Sequence, residues 1–226
     1  MDNLEYLSDP RFVSNQESDS LINAARIIIK DFKDLIDYVE PVDANKSVFS
    51  HRIYELLLRT ATEFEANCKG ILLANNYTAS TKDHYTINDY YKINQIMELD
   101  KYIVSTQLWN PEKKFSPLSQ WALNASLDWY KAYNKVKHNR YSNFQAASLD
   151  NLFTGICSLV VILAAQFPNK IGQIGASGLT AILSVNEIIV GDFTIQYPQF
   201  NDHKLYQFNW EVIKTEEQAF DKYVFN

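Results

Sequence analysis

VFSHRIYELLLRTATEFEANCKGILLA, residues 48–74, is the longest regular pattern in the chain and sets its class. Ile53, Leu56, Leu57, Thr60, Phe64, Cys68, Ile71 and Leu72 recur at three- and four-residue intervals, the spacing of one helix face turned to a core. Asn45 or Ser47 can cap its start, and Asn75-Asn76 closes it. Beside the apolar stripe run Arg52, Glu55, Arg59 and Glu63, alternating in sign at helical spacing. On one reading this is a solvated ladder of ion pairs, each worth little. On the other, Arg59 and Glu63 face His138 across the bundle and complete a polar pocket.

The flanking segments repeat the helical signature. Leu21, Ile22, Ala25, Ile28, Ile29, Phe32, Leu35, Ile36 and Val39 predict a helix over residues 19–39, stopped by Pro41. Two more helices are predicted over 119–138 and 143–167, with Ser119 and Asn143 as caps. Residues 76–118 are irregular, with a short helix around 87–97, strand-like content at 102–108 and an extended connection marked by Pro111 and Pro117. Gly172, Gly175 and Gly178 lie in a small-residue connection without the ending of a phosphate loop. Alternation at Phe193, Ile195 and Tyr197, and again at Tyr206, Phe208, Trp210 and Val212, predicts a two-stranded C-terminal appendage, packed on the bundle because an isolated hairpin is marginal. The expected organisation is an arm at 1–16, a helical bundle over 17–167 interrupted by the excursion 76–118, and a linker with a small β extension over 168–226. The fold class is mainly α.

Bulk properties narrow the function. The 226 residues carry a net charge of −6, so no whole-molecule field draws nucleic acid and any anion site must be local. Fourteen tyrosines and thirteen phenylalanines predict an aromatic core. Cys68 and Cys157 each sit in an apolar pattern and read as buried free thiols, not a disulfide. The opening residues MDNLEYLSDPRF have neither a basic start nor an apolar stretch, so a cytoplasmic protein is expected. Asn45, Asn76 and Asn124 head Asn-x-Ser/Thr triplets that have no meaning in that compartment. Residues 159–165 (LVVILAA) are strongly apolar, but Asn151, Thr154, Ser158, Gln166 and Asn169 interrupt the run, so a buried central helix is expected, not a membrane span. His51, His84 and His203 lack zinc-ligand spacing, and no nucleophile elbow or Cys/His pair is present, so no metal or cofactor is expected.

The chemistry-bearing stretch is residues 129–140, WYKAYNKVKHNR. Lys131, Lys135, Lys137 and Arg140 reverse the sign of the chain locally, and no acid occurs between Asp128 and Asp150. That suits a phosphate-bearing partner. Asn134 and His138 stand four apart and share a helix face, pairing a proton-transfer group with an orienting donor. Trp129, Tyr130 and Tyr133 lie beside them and offer rings for stacking a base or sugar. The alternative is a solvated basic face with its aromatic residues in the core.

The pattern Trp-Tyr-x-Ala-Tyr-Asn-x-Val-Lys-His-x-Arg at 129–140, followed by Asn143-Phe144 and an apolar helix, resembles the HEPN superfamily, and the 51–59 segment HRIYELLLR adds to the likeness. The resemblance covers roughly residues 17–167. It implies a helical bundle, often dimeric, of toxin–antitoxin or phage-defence systems. Many such domains are metal-independent ribonucleases built on Arg-x4–6-His. It further implies RNA or a nucleotide as ligand, a homodimer and an antitoxin partner. His138, Asn134 and Arg140 would be catalytic, with Lys131, Lys135, Lys137, Tyr133, Arg59 and Glu63 binding substrate. Four intervening residues before His138 stands Tyr133, not Arg; Asn134 matches the polar residue that commonly follows that Arg. Lys131, at six intervening residues, is the only basic residue at an allowed spacing. A non-catalytic module binding a nucleotide or a partner protein is the alternative.

Overall fold

The computed structural model describes residues 15–81, 84–168, 171, 180–184, 187–199 and 224–225. It is mainly helical, as expected. The arm, the glycine run and the 206–212 segment lie outside or almost outside these residues.

Helix α1 (Asn15–Ile36) buries Ile22, Ala25, Ile28, Ile29 and Phe32 on one face. Helix α2 (His51–Ala74) is capped by Ser50, whose Oγ accepts from the Ile53 N–H at 3.2 Å. This corrects the expected cap, Asn45 or Ser47, because the chain at 46–48 is engaged elsewhere: Val48 O accepts from Leu149 N at 2.8 Å and Lys46 O from Asp150 N at 3.1 Å. Asn75 and Asn76 do close α2. Asn76 takes a left-handed backbone (φ 58°), and Tyr77 N donates to Leu72 O at 2.9 Å in the reversal typical of a helix C-terminus.

Two short helices follow, α3 (Ile87–Tyr91) and α4 (Asn94–Met97), and then strands β1 (Ile103–Thr106) and β2 (Lys113–Phe115). The single helix predicted over 119–138 is two pieces. A short 3-10 turn at Ser119–Ala122 precedes α5 (Asp128–His138), and Gln120 supplies the missing cap by accepting from Asp128 N at 2.8 Å. Likewise the helix predicted from Asn143 begins later. Short turns, α6 (Arg140–Asn143) and Phe144–Ala146, lead to α7 (Leu149–Gln166), whose cap is Ser148 at 3.3 Å from Asn151 N. Among the described residues α7 is the one helix long and apolar enough to cross a membrane, and 83% of it is buried inside the protein.

The C-terminal region departs most from the expectation. Strands β3 (Thr180–Ser184), β4 (Glu187–Val190) and β5 (Phe193–Gln196) exceed the two strands expected there. They join β1 and β2 in one antiparallel sheet, ordered β2-β1-β5-β4-β3 among the described residues. Val104 pairs with Ile195 and Thr106 with Phe193, so the excursion and the C-terminal strands share a ladder. A lone hairpin cannot bury a face; five strands packed on helices can. Val104, Thr106, Ile188, Val190, Phe193 and Ile195 all turn to the core.

Phe153 on α7 joins the two layers, with ring centroids 5.3 Å from Phe32, 5.1 Å from Trp109 and 4.8 Å from Phe115. At the sheet edge, Asp43 Oδ1 accepts from Lys113 Nζ and Trp109 Nε1, both at 3.0 Å, and pairs with Lys46 at 3.1 Å. The lysines hold the Asp43 carboxyl down at about 2. Lys33 on α1 pairs with Asp192 in the turn between β4 and β5. Cys68 and Cys157 are free and fully buried, which pushes both thiols up.

Candidate functional site

An open groove of about 1370 Å³ runs between the outer flank of α2, residues 77–81 and 84–87, and α5. From α2 it takes Thr62, Glu65, Ala66 and Lys69, and from the segment Tyr77, His84 and Tyr85. Tyr90, Tyr130, Asn134, Lys137 and His138 complete it. Two of the three expected catalytic residues, Asn134 and His138, therefore stand one turn apart on the same wall. His138 is the last residue of α5 and is exposed, while Asn134 is half-buried.

Lys137 is oriented by its own helix. Its Nζ donates to the Tyr133 hydroxyl at 2.8 Å, which fixes a cation beside His138. That bond raises the Lys137 ammonium above its ordinary value, and burial raises the Tyr133 phenol. Tyr133 itself is 2% exposed, so its ring is packing and its hydroxyl is the anchor for Lys137. Tyr130, 7% exposed, donates its hydroxyl to Glu65 Oε1 at 2.7 Å across the α2–α5 contact. Burial and this carboxylate together push the Tyr130 phenol up, so it stays a donor.

Trp129 is core. It is 2% exposed, its ring lies 5.3 Å from Phe64, and its Nε1–H is buried without a hydrogen-bond partner. The stacking surface expected of Trp129 and Tyr133 is therefore not offered by them. The groove takes its accessible rings from elsewhere, chiefly the half-buried Tyr77 and Tyr85. Lys69 lies 5.9 Å from the Tyr85 ring centroid and adds a second cation.

The 77–87 wall is held by one buried carboxylate. Asp89, 0% exposed, accepts from Ser80 N at 2.9 Å, Ser80 Oγ at 2.6 Å and Tyr77 Oη at 2.9 Å on one oxygen. Its other oxygen accepts from Thr86 N at 2.8 Å and Thr86 Oγ1 at 2.9 Å. Burial alone would raise this carboxyl, but the bonds from Ser80, Thr86 and Tyr77 outweigh it and hold it well below the usual carboxylate range.

Other expected site residues are placed apart. Arg140 sits on α6 with its guanidinium 5.5 Å from the Tyr54 ring centroid, and it does not line the groove. Lys131 pairs with Asp128 at 3.1 Å, and Lys135 is exposed outside the groove. Arg59 and Glu63 do not face His138 across the bundle. Arg59 points to α1, where it pairs with Asp31 and lines a smaller depression of about 300 Å³. Glu63 is half-buried, and burial raises its carboxyl. The residues of α2 that do meet Asn134 and His138 in the groove are Thr62, Glu65 and Lys69, which the charge ladder does not single out. Their three- and four-residue spacing marks a second polar flank of α2, the one signal that points to them. No protein-family model, curated protein or solved structure matches the chain.

Proposed function

We propose that this is a HEPN-like protein that binds single-stranded RNA along the groove and cleaves it at His138. The observation that supports this reading is the convergence of Asn134, Lys137 and His138 on one wall of an open groove that also carries Lys69, Tyr77 and Tyr85. Cations that follow a phosphate backbone, beside rings that stack bases, are what single-stranded nucleic acid needs.

In the reaction, a ribose 2′-hydroxyl attacks the adjacent phosphorus and the bond to the 5′-oxygen breaks. The products are a 2′,3′-cyclic phosphate and a 5′-hydroxyl end. His138 moves a proton, from the attacking hydroxyl or to the leaving oxygen. Asn134 and Lys137 stabilise the charge on the phosphorane, and none of these roles calls for a metal. Of the two cations the sequence pattern offers for steadying the phosphate, Arg140 and Lys137, Lys137, tethered by Tyr133, takes the role. In keeping with the resemblance, the proposal includes a cytoplasmic homodimer restrained by an antitoxin in a defence setting; light scattering at micromolar concentration tests the dimer.

A specific observation favours a second reading, a binding module without cleavage. Tyr133 occupies the position of the expected Arg and is buried, and Arg140 lies outside the groove. One experiment separates the two: fluorescein-labelled RNA with EDTA, followed by anisotropy and by gel. Cleavage by the native protein and none by His138→Ala supports the first reading. Tight binding without cleavage by either moves the assignment to the second. Lys137→Ala is expected to weaken binding and to reduce the salt slope by about 1, whereas Arg140→Ala leaves affinity near native. Absence of RNA binding by the native protein refutes the first reading and leaves the second only a nucleotide or a partner protein as ligand.

A further inference from the structure

Glu65 is the only carboxylate among the described residues that line the groove. A carboxylate beside Lys69, Lys137, His84 and His138 works against binding if phosphate is all that passes through, because it repels phosphate. It suits instead a ligand that brings N–H donors. The Glu65 side chain is also fixed: Tyr130, a nearly buried ring of α5, donates to its Oε1 at 2.7 Å.

An ionised carboxylate has about four lone-pair sites, and Tyr130 uses one. Two parallel donors can therefore still be accepted side by side. Among the RNA bases only guanine carries two adjacent donors, N1–H and the N2 amine, on its Watson–Crick edge. Adenine and cytosine each offer one amine beside an acceptor, and uracil flanks its N3–H with two carbonyl oxygens that a carboxylate repels. Splayed bases of single-stranded RNA are read on this edge while they stack on aromatic rings.

We infer that Glu65 makes the groove selective for guanine, accepting N1–H and N2–H while Tyr77 and Tyr85 supply the stacking rings and Lys69 and Lys137 hold the flanking phosphates. This rests on the reading of the groove as an RNA site, and the test keeps the two apart.

The probes are fluorescein-labelled uridine hexamers with one central position changed to guanosine, inosine, adenosine or cytidine. They carry 2′-O-methyl riboses, which lack the attacking hydroxyl, and are titrated against the native protein, so that no RNA is consumed. A bidentate base contact discriminates by roughly 1–3 kcal/mol, about 5- to 150-fold. The guanosine hexamer should bind at least about fivefold tighter than the adenosine and cytidine hexamers. Inosine, which lacks the N2 amine, should fall between. Glu65→Gln should abolish the guanosine preference and turn it toward adenosine and cytidine, since an amide presents one acceptor and one donor, the complement of their amine-beside-acceptor edges. Inosine tests the contact from the RNA side with the protein unaltered, so a misfolded variant cannot decide the matter. Equal affinity of the unmodified groove for all four overturns guanine selectivity and leaves RNA binding standing. A guanosine preference that persists in a folded Glu65→Gln protein removes Glu65 as the reader. Failure of every hexamer to bind defeats the RNA reading itself.

Discussion

Replacing Asp89 with asparagine should loosen the groove wall far more than its small change of shape suggests. Asp89 accepts five hydrogen bonds, three on one oxygen and two on the other, with its side chain fully buried. An asparagine can keep its carbonyl toward Ser80 and Tyr77, but its NH₂ then meets the Thr86 N–H, a donor 2.8 Å from the oxygen it replaces. The Thr86 hydroxyl can turn to accept; the backbone amide cannot. One orphaned buried donor costs about 1–3 kcal/mol, and the remaining bonds weaken as charge leaves the acceptor. A loss of about 3–4 kcal/mol at pH 7 follows, a large part of a typical domain's stability.

The pH dependence follows from the depressed carboxyl. A carboxylate whose folded value lies below its unfolded value of about 3.9 contributes stability above that value. The contribution is lost as pH falls toward and through the folded value. The gap between native and Asp89→Asn proteins in urea titrations should therefore be constant above about pH 5 and shrink below about pH 4. Hydrogen exchange at Ser80 and Thr86 N–H should quicken in the variant. A loss under about 1 kcal/mol with unchanged exchange at both amides would refute the assignment of Asp89 as the anchor of the wall.

Three further outcomes test the packing. Phe153→Ala removes the ring shared by Phe32, Trp109 and Phe115 and should cost about 3–5 kcal/mol in urea denaturation; a loss under about 1.5 kcal/mol would show that helices and sheet do not depend on this contact. Gly155→Ala in α7 gains about 1 kcal/mol of helix propensity, yet its new Cβ meets Trp129 Cε3 at 3.1 Å and Thr60 Cγ2 at 3.4 Å. Because Trp129 is wedged against Phe64 and cannot retreat, a net destabilisation of about 1 kcal/mol is expected, and a raised melting temperature would contradict that packing. Cys68 and Cys157, with thiols raised by burial, should resist a disulfide-exchange reagent until urea unfolds the chain; rapid modification of the native protein would count against their burial.

What the sequence determined by itself is what local spacing encodes. The apolar stripes at 19–39 and 48–74 recover α1 and α2, because a face buried along its whole length must repeat with the helical period. The Asn75-Asn76 stop is equally local, since Asn tolerates the left-handed backbone that reverses the chain. Asn134 and His138 share a face for the same reason.

Tertiary structure decided which flank of a helix meets which neighbour. Arg59 and Glu65 lie on the same helix, but the rotation of α2 between α1 and α5 sends Arg59 to Asp31 and Glu65 to Tyr130. Nothing in the spacing of α2 records that angle. Nor does alternation at 193–197 reveal that Ile195 pairs with Val104, 91 positions away. Period-two patterning shows that a strand has a buried face; it does not carry the identity of the strand beside it, which only the closed ladder and the helices packed on it select. The groove is a product of that selection: its tyrosines, its lysines and Glu65 come from segments brought together by α2, α5 and a wall held on Asp89.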